Sequence, residues 1–369
     1  MGAHMLSKLA ELLVSYCIKA TKGDEVRVSA TYDAMSLVKE LWKSLVSLGA
    51  YPYLSLVDEE LEEIFYLYAS EELLKHVPRV DKFIYENINA FISIISSTHT
   101  KHLISVAPEK LSIRAKTLGE LSNIFINRES SGDLRWVATI YPTKALAQEA
   151  GMSLIAYKDF IFSALKLYEP NPIDAWIRQA EKQSRIVNVL SKVSELRFVG
   201  EGIDLHLRVD GRTWINDDGR KNMPGGEVYT APIEDSVEGY VVFTYPAIWR
   251  GIEIDGVKLF FRGGKVINAS ATKGEEFIKK IINIDEGSRR VGEVAFGLNY
   301  NINRFTKQIL LDEKMGGTIH LALGSAYLGS GGTNKSAIHL DLIKDMSKGK
   351  VIADGDVIYS DGRFLSDVL

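Results

Sequence analysis

The chain has 369 residues, 46% hydrophobic and 25% charged, the make-up of an ordinary globular protein with more chain than one core organises, so two domains are expected. Lys and Arg number 44 against 48 Asp and Glu, for a net charge of -4, and no dense basic run occurs, which excludes nucleic acid and anionic membrane as expected partners. A single cysteine, Cys17, rules out a disulfide framework.

Residues 1 to 5 read as a tag remnant that ends at a native initiator, Met5, with neither a signal sequence nor an apolar run of transmembrane length after it. A cytoplasmic location is therefore expected. Leu9, Leu12, Leu13, Tyr16 and Cys17 recur at helical spacing and predict a helix over 6–19 that buries the thiol. Gly23-Asp24 opens a strand over 26–30; a helix over 35–48, a Gly49 stop and a strand over 51–57 complete a β-α-β unit. The alternation continues with a helix over 58–76, a strand over 91–95, a helix near 108–121 and a strand over 136–141. Strands separated by helices of this length predict a mostly parallel sheet. Such sheets often hold dinucleotides, but no G-x-G-x-x-G follows any of these strands, which argues against that role.

Helices over 143–150 and 155–168 lead to Pro170-Asn171-Pro172. Ile173, Trp176, Ile177, Ala180, Val189 and Val193 then share one side of a helix expected to reach about Leu196. The boundary is placed in this helix, giving an N-terminal α/β domain at 5–190 and a C-terminal β-rich α+β domain at 191–369. Beyond it the texture changes to two-residue alternation, as in Ile203 to Val209, punctuated by turn pairs such as Asp210-Gly211 and Asp361-Gly362, with one helix over 274–284. Four glutamines and one cysteine in the whole chain point toward a thermophilic source.

The residues that carry chemistry lie in the second half. His339 and Asp341 stand two apart on a predicted strand, so they offer an imidazole nitrogen and a carboxylate to one point in space. His320 sits in another predicted strand, and Gly324 and Gly329 to Gly332 leave the backbone free to turn back beside it as a flexible loop. Upstream, Glu227 follows Gly225-Gly226 directly and Glu293 lies in the apolar run Val291 to Asn299; a carboxylate so placed needs a cation or several hydrogen bonds. With Tyr327, these residues supply two imidazoles, three carboxylates and a phenol, more than one tetrahedral zinc uses. Two divalent ions sharing a bridging carboxylate and a hydroxide balance in charge, and mixed N and O ligands point to zinc, cobalt or manganese rather than calcium.

Two look-alikes are set aside. Gly329 to Ser336 imitates a phosphate-binding loop, but Asn334 stands where the glycine before the lysine belongs. Ser336, His339 and Asp341 imitate a hydrolase triad without the G-x-S-x-G elbow that would present the nucleophile.

Several long motifs in order carry a family resemblance: Asn222-Met-Pro-Gly-Gly-Glu-Val, Pro232-Ile-Glu-Asp-Ser-Val-Glu-Gly, Gly292-Glu-Val-Ala-Phe-Gly-Leu-Asn, Asp312-Glu-Lys-Met-Gly-Gly-Thr-Ile-His-Leu-Ala-Leu-Gly and Ser336-Ala-Ile-His-Leu-Asp. Over nearly its whole length the chain resembles the thermophilic metallo-aminopeptidase family, the group of aminopeptidase T and aminopeptidase S. The resemblance implies that Glu227, Glu293, His320, Tyr327, His339 and Asp341 are the metal ligands, that the C-terminal domain holds them, and that a homodimer encloses the active sites. The sequence departs from the family at Leu328, where a proline commonly follows the tyrosine, and in a shorter loop between Tyr327 and His339.

The expected activity is a dinuclear metal-dependent aminopeptidase acting on peptides through a metal-bridged hydroxide, with Glu293, Tyr327 and Glu313 as catalytic residues. Glu313, Glu238 and Tyr327 are the candidates for protonating the leaving amine, and Arg304 and Lys314 for stabilising the oxyanion. Two alternatives stay open: a metal-dependent hydrolase of another amide or a phosphoester, and a metal-stabilised interaction protein without turnover.

Overall fold

A computed structural model of the chain describes residues 2–249, 251–366 and 368, with the side chains of Ala3 and Leu328 outside that set. Contacts divide it into two compact units, Met1–Ile173 with Arg220–Pro224, and Asp174–Gly219 with Gly225–Leu369. The division falls near the start of helix Pro172–Leu190, whereas the boundary expected at 190/191 lies at that helix's other end.

The first unit is built on five parallel strands in the order Tyr51–Leu56, Glu25–Ala30, Ala90–Ile95, Arg135–Ile140, Asn222–Met223. Val26, Val28, Ile92 and Val137 are fully buried, the inward half of the alternation that a pleated strand imposes. The helix expected over 58–76 is broken. Asp58 caps Glu59–Tyr68 by accepting from Leu61 N at 3.0 Å, and Ser70 restarts the chain as Glu71–Leu74 by accepting from Leu73 N at 3.2 Å. A further helix, Arg79–Asn87, begins right after Pro78. No helix among the described residues is long and apolar enough to cross a membrane.

The second unit holds two large antiparallel sheets and a small two-stranded one, Ala247–Trp249 paired with Ile252–Ile254. Eight strands run in the order Lys265–Ser270, Lys258–Arg262, Glu238–Val242, Ile203–Arg208, Glu195–Gly200, Gly349–Ala353, Asp356–Ser360, Arg363–Phe364; five run in the order His339–Asp345, Thr318–Gly324, Val291–Gly297, Glu227–Thr230, Ile215–Asp217. The helix before them ends at Leu190 rather than Leu196, because Glu195–Gly200 pairs with Ile203–Arg208 as a hairpin. Sheet pairing outweighs local helical spacing there. Phe296 of the five-stranded sheet packs on Phe198, Tyr359 and Phe364 of the eight-stranded one, with ring centroids 6.0, 5.5 and 4.9 Å away. Burying such a ring contributes about 1.5–3 kcal/mol.

This packing decides which way the chemistry faces. Val294 and Phe296 point into the core, so Glu293, Ala295 and Gly297 point out of the opposite face; on the next strand Ile319, Leu321 and Leu323 point in, and His320, Ala322 and Gly324 point out.

Candidate metal centre

The outward face of the five-stranded sheet gathers most of the predicted site residues by register. Ala322 lies directly between Glu293 on one neighbouring strand and Asp341 on the other, Ala295 lies beside His320, and Gly324 lies opposite His339. Small residues thus alternate with functional ones, leaving the space above the sheet to the long side chains. At Gly324 (φ +106°) a Cβ would sit 2.2 Å from Ile338 O, so only glycine lets the two histidine strands close up there. Glu227 enters from Gly226 (φ +116°), where a Cβ would meet Asn299 Cβ at 2.6 Å.

His320 Nε2 lies 3.1 Å from Glu293 Oε1 and 3.6 Å from Glu227 Oε2. His339 Nε2 lies 3.5 Å from Glu293 Oε2 and 3.4 Å from Asp341 Oδ1. Glu293 therefore reaches both imidazoles, one with each oxygen. The far nitrogens are engaged by main chain: His320 Nδ1 pairs with Glu313 O at 3.1 Å and His339 Nδ1 with Ser325 O at 2.9 Å. Carbonyls only accept, so each Nδ1 carries the proton, and in the neutral ring each Nε2 presents a lone pair to the cluster.

Glu227 Oε2, Glu293 Oε2 and Asp341 Oδ1 are buried without a hydrogen-bond partner, and so is Oδ2 of Asp217. Orphaned carboxylate oxygens at this depth are costly unless a cation meets them. Among the described residues two sets of ligand atoms lie close enough together to hold an ion: Glu227, Glu293 and His320, and Glu313, His320 and Asp341. In donor chemistry and in these orphaned atoms, the residues fit divalent metal.

The charges around the cluster lean the same way. Burial pulls the His320 imidazole down, but Glu293, Glu227 and Asp341 outweigh it and leave it raised to about 10. For His339 burial is likewise overcome, by Asp341 and Glu293, and it is raised to about 9. Burial lifts Glu227 well above the ordinary carboxylate range against the pull of Lys314, and lifts Asp217 to about 6 against the same cation. Protons here stand in for the positive charge that the carboxylates call for.

Lys314 is fully buried, hydrogen-bonded to Glu313 and 3.4 Å from Glu227 Oε1 and 3.6 Å from Asp217 Oδ2. Burial opposes its charge, yet Glu227, Glu313 and Asp217 hold its pKa well above the usual lysine range. It is thus a structural cation of the cluster, committed to carboxylates and not free to meet an oxyanion. Asp217, absent from the expected set, is brought in by pairing with Glu227 across adjacent strands. Nothing in its local sequence, Trp-Ile-Asn-Asp-Asp, marks it.

Other expectations fall away from the cluster. Glu238 is exposed and accepts from Gly263 N at 2.6 Å on the other sheet, and Arg304 is exposed. Ser336 donates to Asp285 at 2.8 Å, so no triad forms with His339. The glycine-rich loop is anchored where flexibility was expected: Asn334 Nδ2 donates to Gly287 O and Gly324 O, and Thr333 N to Glu234 Oε1 at 2.7 Å. Tyr327 is half exposed, with its ring centroid 5.0 Å from that of His339.

A mixed α/β chain with buried carboxylates and imidazoles converging on one sheet face has the make-up of a metal-dependent hydrolase. Residues 3–364 match the family described as thermophilic metalloprotease (M29), and the chain belongs to that family. It is 27% identical to aminopeptidase AmpS of Bacillus subtilis over 98% of each chain, and 29% identical to aminopeptidase 2 of Geobacillus stearothermophilus over 95% of this chain and 94% of that one. The solved structure of wild-type AmpT from Thermus thermophilus superposes with a TM-score of 0.86 at 26% identity, covering 98% of this chain and 99% of that one. The chain is accordingly a metallopeptidase, a hydrolase of the exopeptidase kind for which these relatives are named.

Proposed function

We propose that the chain removes N-terminal residues from peptides with two divalent ions held by Glu227, Glu293, His320, Tyr327, His339 and Asp341. The observation that carries this reading is the set of orphaned carboxylate oxygens facing two imidazoles whose Nδ1 protons are pinned by carbonyls. Charge supports the number of ions. Asp217, Glu227, Glu293, Glu313 and Asp341 are five negative charges; less Lys314 they leave four, the charge of two divalent ions with both histidines neutral.

When bound, the ions would supply Lewis acidity toward the scissile carbonyl and the attacking water. The chain's own residues do the rest. Glu293 ties the two halves of the centre together, and the carbonyls of Glu313 and Ser325 hold the imidazoles in orientation. Glu313, close to His320 and Asp341 and hydrogen-bonded to Lys314, is placed to take the proton from water and return it to the leaving amine. Peptide substrates, a homodimer and a cytoplasmic setting belong to the same proposal, and a monomeric mass by light scattering would remove the dimer.

Leucyl and arginyl anilides are expected to be cleaved, the activity to vanish on chelation and to return with cobalt or zinc. Anilide cleavage that survives complete chelation overturns the reading, and so does a phosphoester turned over in its place. Ala322→Leu is expected to drive a side chain between Glu293 and Asp341 and so to abolish metal uptake, with an overpacking cost to the fold of only about 1–3 kcal/mol. Elemental analysis of the purified variant checks this; full metal content would move the ions elsewhere.

A further inference from the structure

Tyr229 stands two residues beyond Glu227 on strand Glu227–Thr230 and so shares its face. Its register partner is Ala295, whose other neighbour is His320; Tyr229 and His320 therefore flank the same small residue. With only a methyl group at Ala295, the Tyr229 ring lies over the sheet and meets Tyr327, centroid to centroid at 5.6 Å, while Tyr327 meets His339 at 5.0 Å. An aromatic wall thus runs along one side of the cluster.

The Tyr229 ring is half buried, but its hydroxyl is neither sealed in the interior nor hydrogen-bonded to any described residue. That sets it apart from the rest of the site. The cluster is rich in acceptors, and its other donors are committed: Lys314 is held by carboxylates, both Nδ1 protons by carbonyls, and Tyr327 is among the proposed ligands. Peptide hydrolysis passes through a tetrahedral state whose oxygen gains charge, and a donor aimed at that oxygen contributes most when it makes no other bond.

We propose that the Tyr229 hydroxyl is a further catalytic residue, donating a hydrogen bond to the carbonyl oxygen of the scissile peptide as its charge develops. The inference rests on the metallopeptidase reading above. It uses the phenol as a neutral donor throughout, with no proton transferred.

Tyr229→Phe keeps the ring, its contact with Tyr327 and the covering of Ala295, and removes only the O–H. In the metal-loaded protein, kcat on leucyl anilide is expected to fall about 10²-fold, with KM within about twofold and metal content unchanged. A Tyr229→Phe enzyme with the kcat of the unmodified chain overturns the inference. So does a Phe variant that has lost metal, because the hydroxyl would then be acting on the ligands. Tyr229→Ala separates wall from donor: if only the wall matters, Phe is silent and Ala alone raises KM, which also overturns it. The unmodified chain is assayed alongside with and without chelator, and absence of chelator-sensitive cleavage there counts against the metallopeptidase reading and not against Tyr229 in particular.

Discussion

Glu293→Gln is expected to abolish peptidase activity, lowering kcat/KM by roughly 10³-fold or more, since several kcal/mol of transition-state charge stabilisation depend on the ions it would hold. The reason is positional. Among the described residues Glu293 is the one side chain whose two oxygens face two different imidazoles, His320 at 3.1 Å and His339 at 3.5 Å. An amide of the same shape keeps the strand and its packing but has one oxygen to offer in place of two, and no charge. Steady-state assay beside circular dichroism and elemental analysis checks the result: activity lost, fold kept, metal reduced. A variant that retains full turnover would show that the two halves of the cluster do not share a carboxylate.

Lys314→Met is expected to give the largest loss of stability of any substitution at the site. Lys314 is fully buried among Glu227, Asp217 and Glu313, and removing one partner of a buried ionic group costs about 3–5 kcal/mol because the others are left uncompensated. For a unit of this size that is a fall in Tm of roughly 10 °C. The effect should be greatest in metal-free protein and shrink when cobalt or zinc is added, because bound cations take over part of the compensation. Thermal unfolding of the metal-free chain checks it, with Arg304→Met, at an exposed position, as a control expected to melt unchanged. Coincident melting curves for the Lys314 variant and the unmodified chain would mean that the three carboxylates are protonated or solvated without it.

Several features were legible because they are local. A helix over 35–48 follows from its apolar period and the Gly49 stop, and the structure gives Met35–Leu48 with Gly49 in the left-handed region. The H-x-D pair of His339 and Asp341 shares a face because strand geometry allows nothing else. Others were illegible for an equally physical reason. Helical spacing from Ile173 onward continued past Leu190, yet Glu195 already belongs to a hairpin, and spacing cannot see a partner strand. Asp217 sits in a polar run that would read as a turn anywhere, and only its pairing with Glu227 makes it part of a buried charge cluster. Lys314 looked like a free cation able to meet an oxyanion; two carboxylates from distant strands, Asp217 and Glu227, join its neighbour Glu313 around it.

By itself, then, the sequence determined the residue types, the strands that present them and, through long ordered motifs, the family. Chemistry written in side chains two or three positions apart survives in any fold that keeps the strand. Which oxygens would be left without donors, which lysine would be spent on neutralising charge and which tyrosine would keep its hydroxyl free were decided only by tertiary structure. Those properties depend on desolvation and on register between strands far apart in the chain, and neither exists until the sheet has closed over its core.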